Sequence, residues 1–194
     1  EIQAQKEAKG QYTHTVKGKK SGSVSYQTFG KDVENKEIRK IIQNNIHGVD
    51  INEQAIEITQ LNLFLKLATS SQQLIDLSKK ILVGNSLVDD PVDPKAFDWE
   101  KKFPEKFDVI IGNPPYIRYQ EYFQIKPYLK NNYDVYHGTA DILVYFFEHS
   151  LNVLKNNGVL NFITSNKWFK TTYGKPLREL LIQNNIQEVI DFGD

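Results

Sequence analysis

Residues 107–116 read FDVIIGNPPY, and the rest of the chain is best read outward from them. Residues 107–111 form a β-rich apolar run, which Gly112 and the tetrapeptide Asn113-Pro114-Pro115-Tyr116 end abruptly. Similar short apolar runs recur at 46–50, 81–83, 159–164 and 186–192. The segments between them carry helical spacing or helix-favouring composition. Residues 53–68 place Ile56, Leu63 and Leu67 at helical intervals, with Asn52 as the expected N-cap. Residues 37–45, 141–154 and 176–183 read as further helices, 141–154 as a buried one. A loop runs through Pro91 and Pro94, and Asn157-Gly158 is a turn. Strands alternating with helices mean βαβ units and a mostly parallel sheet covered on both faces. The fold class is α/β.

In an open parallel sheet, ligands bind at the carboxyl ends of the strands, so the polar residues after each run share one edge. They are Asp50, Asn85-Ser86, Asn113–Tyr116 and Ser165-Asn166. Asp50 has two readings of similar weight: a carboxylate for ribose hydroxyls, or a cap for the helix that follows. The tetrapeptide is sharper. At roughly 5% usage per residue type, a given four-residue word arises about once in 1,000 chains of this length. Two prolines stiffen the turn and hold the residue before each one extended. The Asn113 carboxamide both donates and accepts, which suits an exocyclic amine beside a ring nitrogen. Tyr116 adds a flat face on which a base can stack.

The chain has 194 residues, 24 basic and 24 acidic, with 40% hydrophobic side chains, enough for a real core and too many for a disordered chain. It has no cysteine, so disulfides, thiolate nucleophiles and Cys-based metal sites are excluded. Its four histidines are scattered, and no metal site is expected. No apolar run approaches a membrane span and no signal peptide is visible, so a cytoplasmic protein is expected. Methionine is absent, so Glu1 is not a start codon and the chain reads as a piece of something longer.

The neutral total conceals an uneven distribution. Between His149 and Arg178 lie five basic residues and no acid, with Phe162, Trp168, Phe169 and Tyr173 interleaved. Such a patch can follow a phosphate backbone, and Lys167, Trp168 and Lys170 are its candidate DNA contacts. A solvated helix face with its aromatics in the core fits as well. Residues 117–136 hold Tyr119, Tyr122, Phe123, Tyr128, Tyr133 and Tyr136. Most of these rings are expected to pack as an amphipathic helix, with Ile125, Pro127 and Leu129. Residues 1–36 differ in character: a helix tail, then a polar stretch without periodicity that reads as a mobile loop.

FDVIIGNPPY resembles motif IV of the amino-group methyltransferases that use S-adenosylmethionine. Other blocks follow in the same order. HGVDINEQAIEITQLNLFL resembles motif II, ILVGNSL motif III, and DILVYFFEHSLNVLKNNGVLNFITSNKWF motifs V and VI. LRELLIQNNIQEVIDFGD is similar to the helix and strand that follow. The combination is typical of adenine-N6 DNA methylases of type II restriction–modification systems, particularly the large type IIG/IIS enzymes. It covers residues 37–194, read as a partial catalytic domain, and none of 1–36.

The resemblance implies a Rossmann-like methyltransferase fold and a role for each matching residue. Asp50 would bind the cofactor's ribose and Ile51 would pack on its adenine. Asn85, where many relatives have Asp, would accept from the adenine amine through its carbonyl, with Ser86 beside it. Asn113 and the Pro114 carbonyl would accept from the target N6 amine, Pro115 would stiffen the turn, and Tyr116 would stack on the flipped base. Double-stranded DNA is the implied substrate. In relatives the segment after motif IV lies over the target-base side of the cleft, so one or two rings of 117–136, Tyr119 among them, are expected to touch it. A target-recognition domain is expected beyond Asp194, and a nuclease on the same parent chain is plausible by family. Such enzymes also carry a glycine-rich cofactor loop, whereas the eleven glycines here are isolated. That loop and the first strand are expected upstream, and the chain alone is expected to be inactive. Glutamine-N5 protein methylases and guanine-N2 RNA methylases use the same turn, and a degenerate DNA-binding subunit is a third alternative. Cytosine-N4 methylases usually have Ser in place of Asn113.

Overall fold

The computed structural model of the chain describes residues 2–7, 11–17, 23–29, 31–67 and 76–193. It divides into two compact units, Glu1–Val83 and Gly84–Asp194. The helix end expected at Ala68 and the loop residues 8–10, 18–22 and 30 lie outside the described residues.

The first unit opens with three strands, β1 (Ile2–Glu7), β2 (Gln11–Lys17) and β3 (Ser23–Phe29), paired antiparallel in the order β1-β2-β3. This corrects the helix tail and loop expected there. The sequence of β2 and β3 alternates Tyr, His and Val with Thr, Ser and Gln, a strand-favouring pattern that a high polar content conceals. Helix α1 (Lys31–Asn45) is longer than the expected 37–45. Strand β4 (Gly48–Asp50) pairs in parallel with β5 (Ile81–Val83), placing Asp50 opposite Val83. Between them runs α2 (Glu53–Leu67), whose first turn is capped as expected: the Asn52 Oδ1 accepts the Ala55 N–H at 3.1 Å. Gln60 on α2 donates to the Ile81 carbonyl at 2.9 Å, tying helix to strand. Ile42, Ile56, Leu77 and Ile81 form the buried core of this unit.

In the second unit, α3 (Trp99–Lys102) is a short helix that the local sequence pattern does not announce; Asp98 caps it by accepting from Lys101 N–H at 2.9 Å. Strand β6 (Phe107–Gly112) is followed by α4 (Lys126–Asn132), α5 (Leu143–Val153), β7 (Leu154–Phe162) and α6 (Lys175–Ile182). β6 and β7 are parallel, with Val109 opposite Val159 and Gly112 opposite Phe162. The expected turn at Asn157-Gly158 lies inside β7, where the ladder slips and Asn157 takes a φ of 64°. Helix α5 is the spine of this core. Leu143, Val144, Tyr145 and Phe147 are buried, together with Leu129, Val135, Trp168 and Leu177 from surrounding segments. Each such side chain contributes on the order of 1.5–3 kcal/mol.

Four further expectations are corrected. Residues 117–136 are turns, a 3-10 turn at Phe123–Ile125 and the short α4, with Tyr hydroxyls anchored to other segments rather than lining one helical face. Tyr122 donates to the Ala140 carbonyl at 2.5 Å and Tyr133 to that of Leu87 at 2.9 Å. Residues 186–192 are not a strand: no described strand pairs with them, and Phe192 is 90% exposed. The parallel strands form two separate ladders rather than one sheet, β4 with β5 and β6 with β7. Nor is the β6–β7 pair covered on both faces, since Val109, Ile111 and Val159 stand exposed. Among the described residues, no helix is long and apolar enough to cross a membrane.

Candidate functional site

The Asn113–Tyr116 turn leaves the carboxyl end of β6. The Gly112 carbonyl accepts the Ile163 N–H at 3.1 Å, so the turn and the 163–166 segment after β7 leave the sheet side by side. A Cβ on Gly112 would stand 3.0 Å from the Phe162 ring, so this close crossing favours glycine. Pro114 is buried and pins the turn, while Asn113, Pro115 and Tyr116 are exposed. The Tyr116 hydroxyl donates to Asn113 Oδ1 at 2.9 Å. Beyond the turn, the Ile117 carbonyl accepts the Ile142 N–H at 3.1 Å, fastening it to the start of α5. A rigid turn thus presents a carboxamide and an aromatic face to solvent at a strand's carboxyl end.

On the same edge, Ser165 Oγ is buried with no hydrogen-bond partner among the described residues. Asp141, beside Ile142, is a carboxyl that no sequence motif singles out. Burial raises its pKa, with the nearby Lys167 partly offsetting that effect.

The segment from Gly84 to Phe97 folds into a closed loop. Asn85 N–H donates to the Lys95 carbonyl at 2.6 Å and Phe97 N–H to that of Val88 at 2.8 Å. The Phe97 ring lies where a Gly84 side chain would be, 2.4 Å from an added Cβ. The Ser86 carbonyl accepts from Trp99 Nε1 at 3.0 Å, and Trp99 is wedged among Phe97, Phe103, Phe107 and His149. Asn85 itself is engaged at both ends: its amide nitrogen donates to Asp93 Oδ2 at 2.7 Å and its carbonyl accepts the Leu87 N–H at 3.2 Å. Asp93 is visible in the sequence only as one acid in an acidic run.

In the first unit, Asp50 ends β4 and Ile51 follows it, both exposed. Asp50 Oδ1 accepts the Asn52 N–H at 2.7 Å, so one of its oxygens orders the start of α2. The helix cap is thus Asn52 and not Asp50. One Asp50 oxygen serves the turn ahead of the helix, while the carboxylate has further lone pairs to offer.

Of the candidate DNA contacts, Lys167 and Lys170 are exposed on the segment after β7. Tyr119 is half-buried, with Lys126 Nζ 4.3 Å from its ring centroid. Trp168 is corrected. It is 7% exposed, stacks on Phe169 with ring centroids 4.0 Å apart, and donates Nε1–H to Thr164 Oγ1 at 3.2 Å. Its ring is core, leaving none of its face for a base. Arg178 Nη1 braces this segment through the Trp168 and Thr171 carbonyls, at 2.5 and 3.0 Å. Two other cations of the basic stretch are paired, Lys155 with Asp108 at 2.9 Å and Lys175 with Glu179 at 3.7 Å. Among the described residues, no group of three or more His, Cys, Asp or Glu side chains is arranged to hold a metal ion.

An α/β chain with an Asn-Pro-Pro-Tyr turn at a strand's carboxyl end has the outline of an amino-group methylase, and comparison with known proteins gives the class. The family model of the Eco57I restriction–modification methylases matches residues 44–194, and the chain belongs to that family. It is 31% identical over 174 residues to the type II restriction enzyme and methyltransferase RM.Eco57I of Escherichia coli, covering 80% of this chain and 17% of that protein. With the type II methyltransferase M.BstVI of Geobacillus stearothermophilus, identity is 39% over 99 residues, 48% of this chain and 17% of the relative. The adenine-specific methyltransferase PglX of Streptomyces coelicolor is 26% identical over 202 residues, 84% of this chain and 16% of its own length. The chain thus spans about a sixth of these relatives.

Proposed function

We propose that this chain is part of the Rossmann-like catalytic domain of a cytoplasmic restriction–modification protein. That protein methylates the N6 amine of an adenine flipped out of duplex DNA. The observation that carries this reading is the Asn113–Tyr116 turn, fixed by buried Pro114 and presenting its carboxamide and ring at the carboxyl end of β6. Duplex DNA hides the amine, so the base must be extruded, at a cost of a few kcal/mol. Tyr116 then offers its face to the extruded ring. Asn113 Oδ1 and the Pro114 carbonyl accept the two N6 hydrogens. The N6 lone pair is delocalised into the ring, and two acceptors favour the tetrahedral nitrogen of the transition state over the flat ground state.

Taken unit by unit, the side chains that would hold S-adenosylmethionine have suitable chemistry. In the first unit, Asp50 has acceptors for ribose hydroxyls and Ile51 an apolar side chain for adenine. In the second, the Asn85 carbonyl has a lone pair for an amine, with Ser86 alongside. When bound, the cofactor supplies an electrophilic methyl group. Lys167 and Lys170, with Tyr119 nearer the turn, would meet the DNA backbone. A target-recognition domain, and a nuclease such as the name of the Escherichia coli relative describes, would belong to the same parent protein.

The test uses the full-length protein with duplex DNA and S-adenosylmethionine, digestion to nucleosides, and mass spectrometry for N6-methyladenine. Asn113→Ala is expected to reduce the product about 100-fold or more. Cofactor binding without a modified base would redirect the search to glutamine side chains or guanine in RNA. Loss of cofactor binding would favour a DNA-binding subunit without catalysis.

A further inference from the structure

The two ends of the Asn85 carboxamide are chemically opposite, and only one suits an adenine amine. Rotation by half a turn about the last side-chain bond exchanges them at almost no steric cost, so an isolated asparagine reads a 6-amino and a 6-oxo purine about equally well. Asn85 is not isolated. Its amide nitrogen lies 2.7 Å from Asp93 Oδ2, and a carboxylate oxygen accepts but does not donate. The flipped amide would set carbonyl oxygen against carboxylate and lose the Leu87 N–H bond at 3.2 Å as well. Asp93 is itself held: its Oδ1 accepts the Lys95 N–H at 2.8 Å, its own N–H donates to the Asp90 carbonyl at 2.9 Å, and its carbonyl accepts from Ala96 at 2.9 Å. Asn85 and Ala96 further form a parallel bridge, which fixes the two residues' backbones.

We infer that Asp93 is a specificity-determining positioning residue, which locks Asn85 with its carbonyl as the acceptor and so makes Asn85 select a 6-amino over a 6-oxo purine. This rests on the assignment of Asn85 to the cofactor's adenine and adds a residue that touches the ligand only through Asn85. It also accounts for an asparagine at a position where an aspartate would do the same work alone. The pair Asn85–Asp93 behaves as one acceptor, with the carboxylate moved back by one hydrogen bond.

The experiment measures binding, not turnover, by titration calorimetry on the full-length protein. The probes are S-adenosylhomocysteine and its 6-oxo counterpart S-inosylhomocysteine. The wild type should prefer the adenosyl compound by about tenfold or more, the scale of one matched against one opposed hydrogen bond. Asp93→Ala should lower the ratio by about threefold or more, because only the Leu87 N–H bond at 3.2 Å then opposes turning the Asn85 amide nitrogen to the 6-oxo group. The exchange Asn85→Asp with Asp93→Asn should restore the preference, since the carboxylate then at position 85 accepts in either orientation. Should Asp93→Ala fail to fold, Asp93→Asn tests the same ratio with side-chain volume kept. An unchanged ratio, or equal weakening of both compounds, would overturn the inference and leave Asp93 a loop-building residue. If the wild type binds neither compound, the cofactor assignment of Asn85 falls, and the inference falls with it.

Discussion

Tyr116 donates its hydroxyl to Asn113 Oδ1 at 2.9 Å, so the turn satisfies its own acceptor when no base is present. In the proposed mechanism that bond takes one of the two lone pairs of Asn113 Oδ1 and competes with an N6 hydrogen for it; on an exposed surface it is worth about 1 kcal/mol. Tyr116→Phe removes the competitor and keeps the ring. Steady-state kinetics on the full-length protein should show kcat near wild type and a KM for DNA equal or up to about fivefold lower. Tyr116→Ala should lose about 10- to 100-fold in kcat/KM, the worth of one base stack.

Glu148 is buried on α5 and accepts the Asp134 and Val135 N–H groups at 3.0 and 2.8 Å. Glu148→Ala strands both donors and should cost about 3 kcal/mol in a urea unfolding series. Glu148→Gln, with a single carbonyl oxygen to offer, should fall about midway.

His149 titrates well below its usual range. Burial is the main cause and moves its pKa down to about 4, with Asp89 pulling weakly the other way. Nε2 is buried without a partner among the described residues. The unfolded chain takes up this proton below about pH 6.5 while the folded one resists it to about 4. Falling pH therefore favours unfolding across that interval, by at most about 3 kcal/mol. His149→Phe should flatten this part of the stability–pH curve and leave stability at pH 8 equal or higher.

Lys167 and Lys170 make a quantitative prediction about salt. If both face phosphates, replacing them with alanine should weaken DNA binding similarly for all sequences. The slope of log affinity against log salt should fall by about two. Lys155→Ala should change the slope less, because Asp108 already neutralises that cation.

Much of this could be read from the amino acids. Val49, Ile81 and Ile110 sit in short apolar runs that became strands, and Asn52 capped α2, because these features depend on neighbours within a turn or two. What stayed hidden depended on distant partners. Nothing local distinguishes the strand-like 186–192 stretch from a strand that has found a neighbour. The β2 pattern of Thr13, His14 and Thr15 looks like a polar loop until β1 and β3 flank it. Trp168 and Tyr119 each lie in an aromatic-rich stretch with exposed cations nearby. Only packing against Phe147 and Phe169 made one of them core. The turn at Asn113 was legible because its chemistry is contained in four successive residues. The Asn85–Asp93 pairing was not, because eight positions separate its members.

The bend after Trp168 sets a limit on what evolution can try there. A Cβ on buried Gly174 would stand 1.9 Å from the Trp168 carbonyl oxygen, which is backbone and cannot swing aside. At Gly138 the same added atom meets nothing within 4 Å. A saturation library sorted for folded protein should therefore return a single amino acid at 174 and a broad alphabet at 138. The lysines beside the constrained bend can be exchanged without moving it, while the path of the backbone carrying them is held by one missing methyl group.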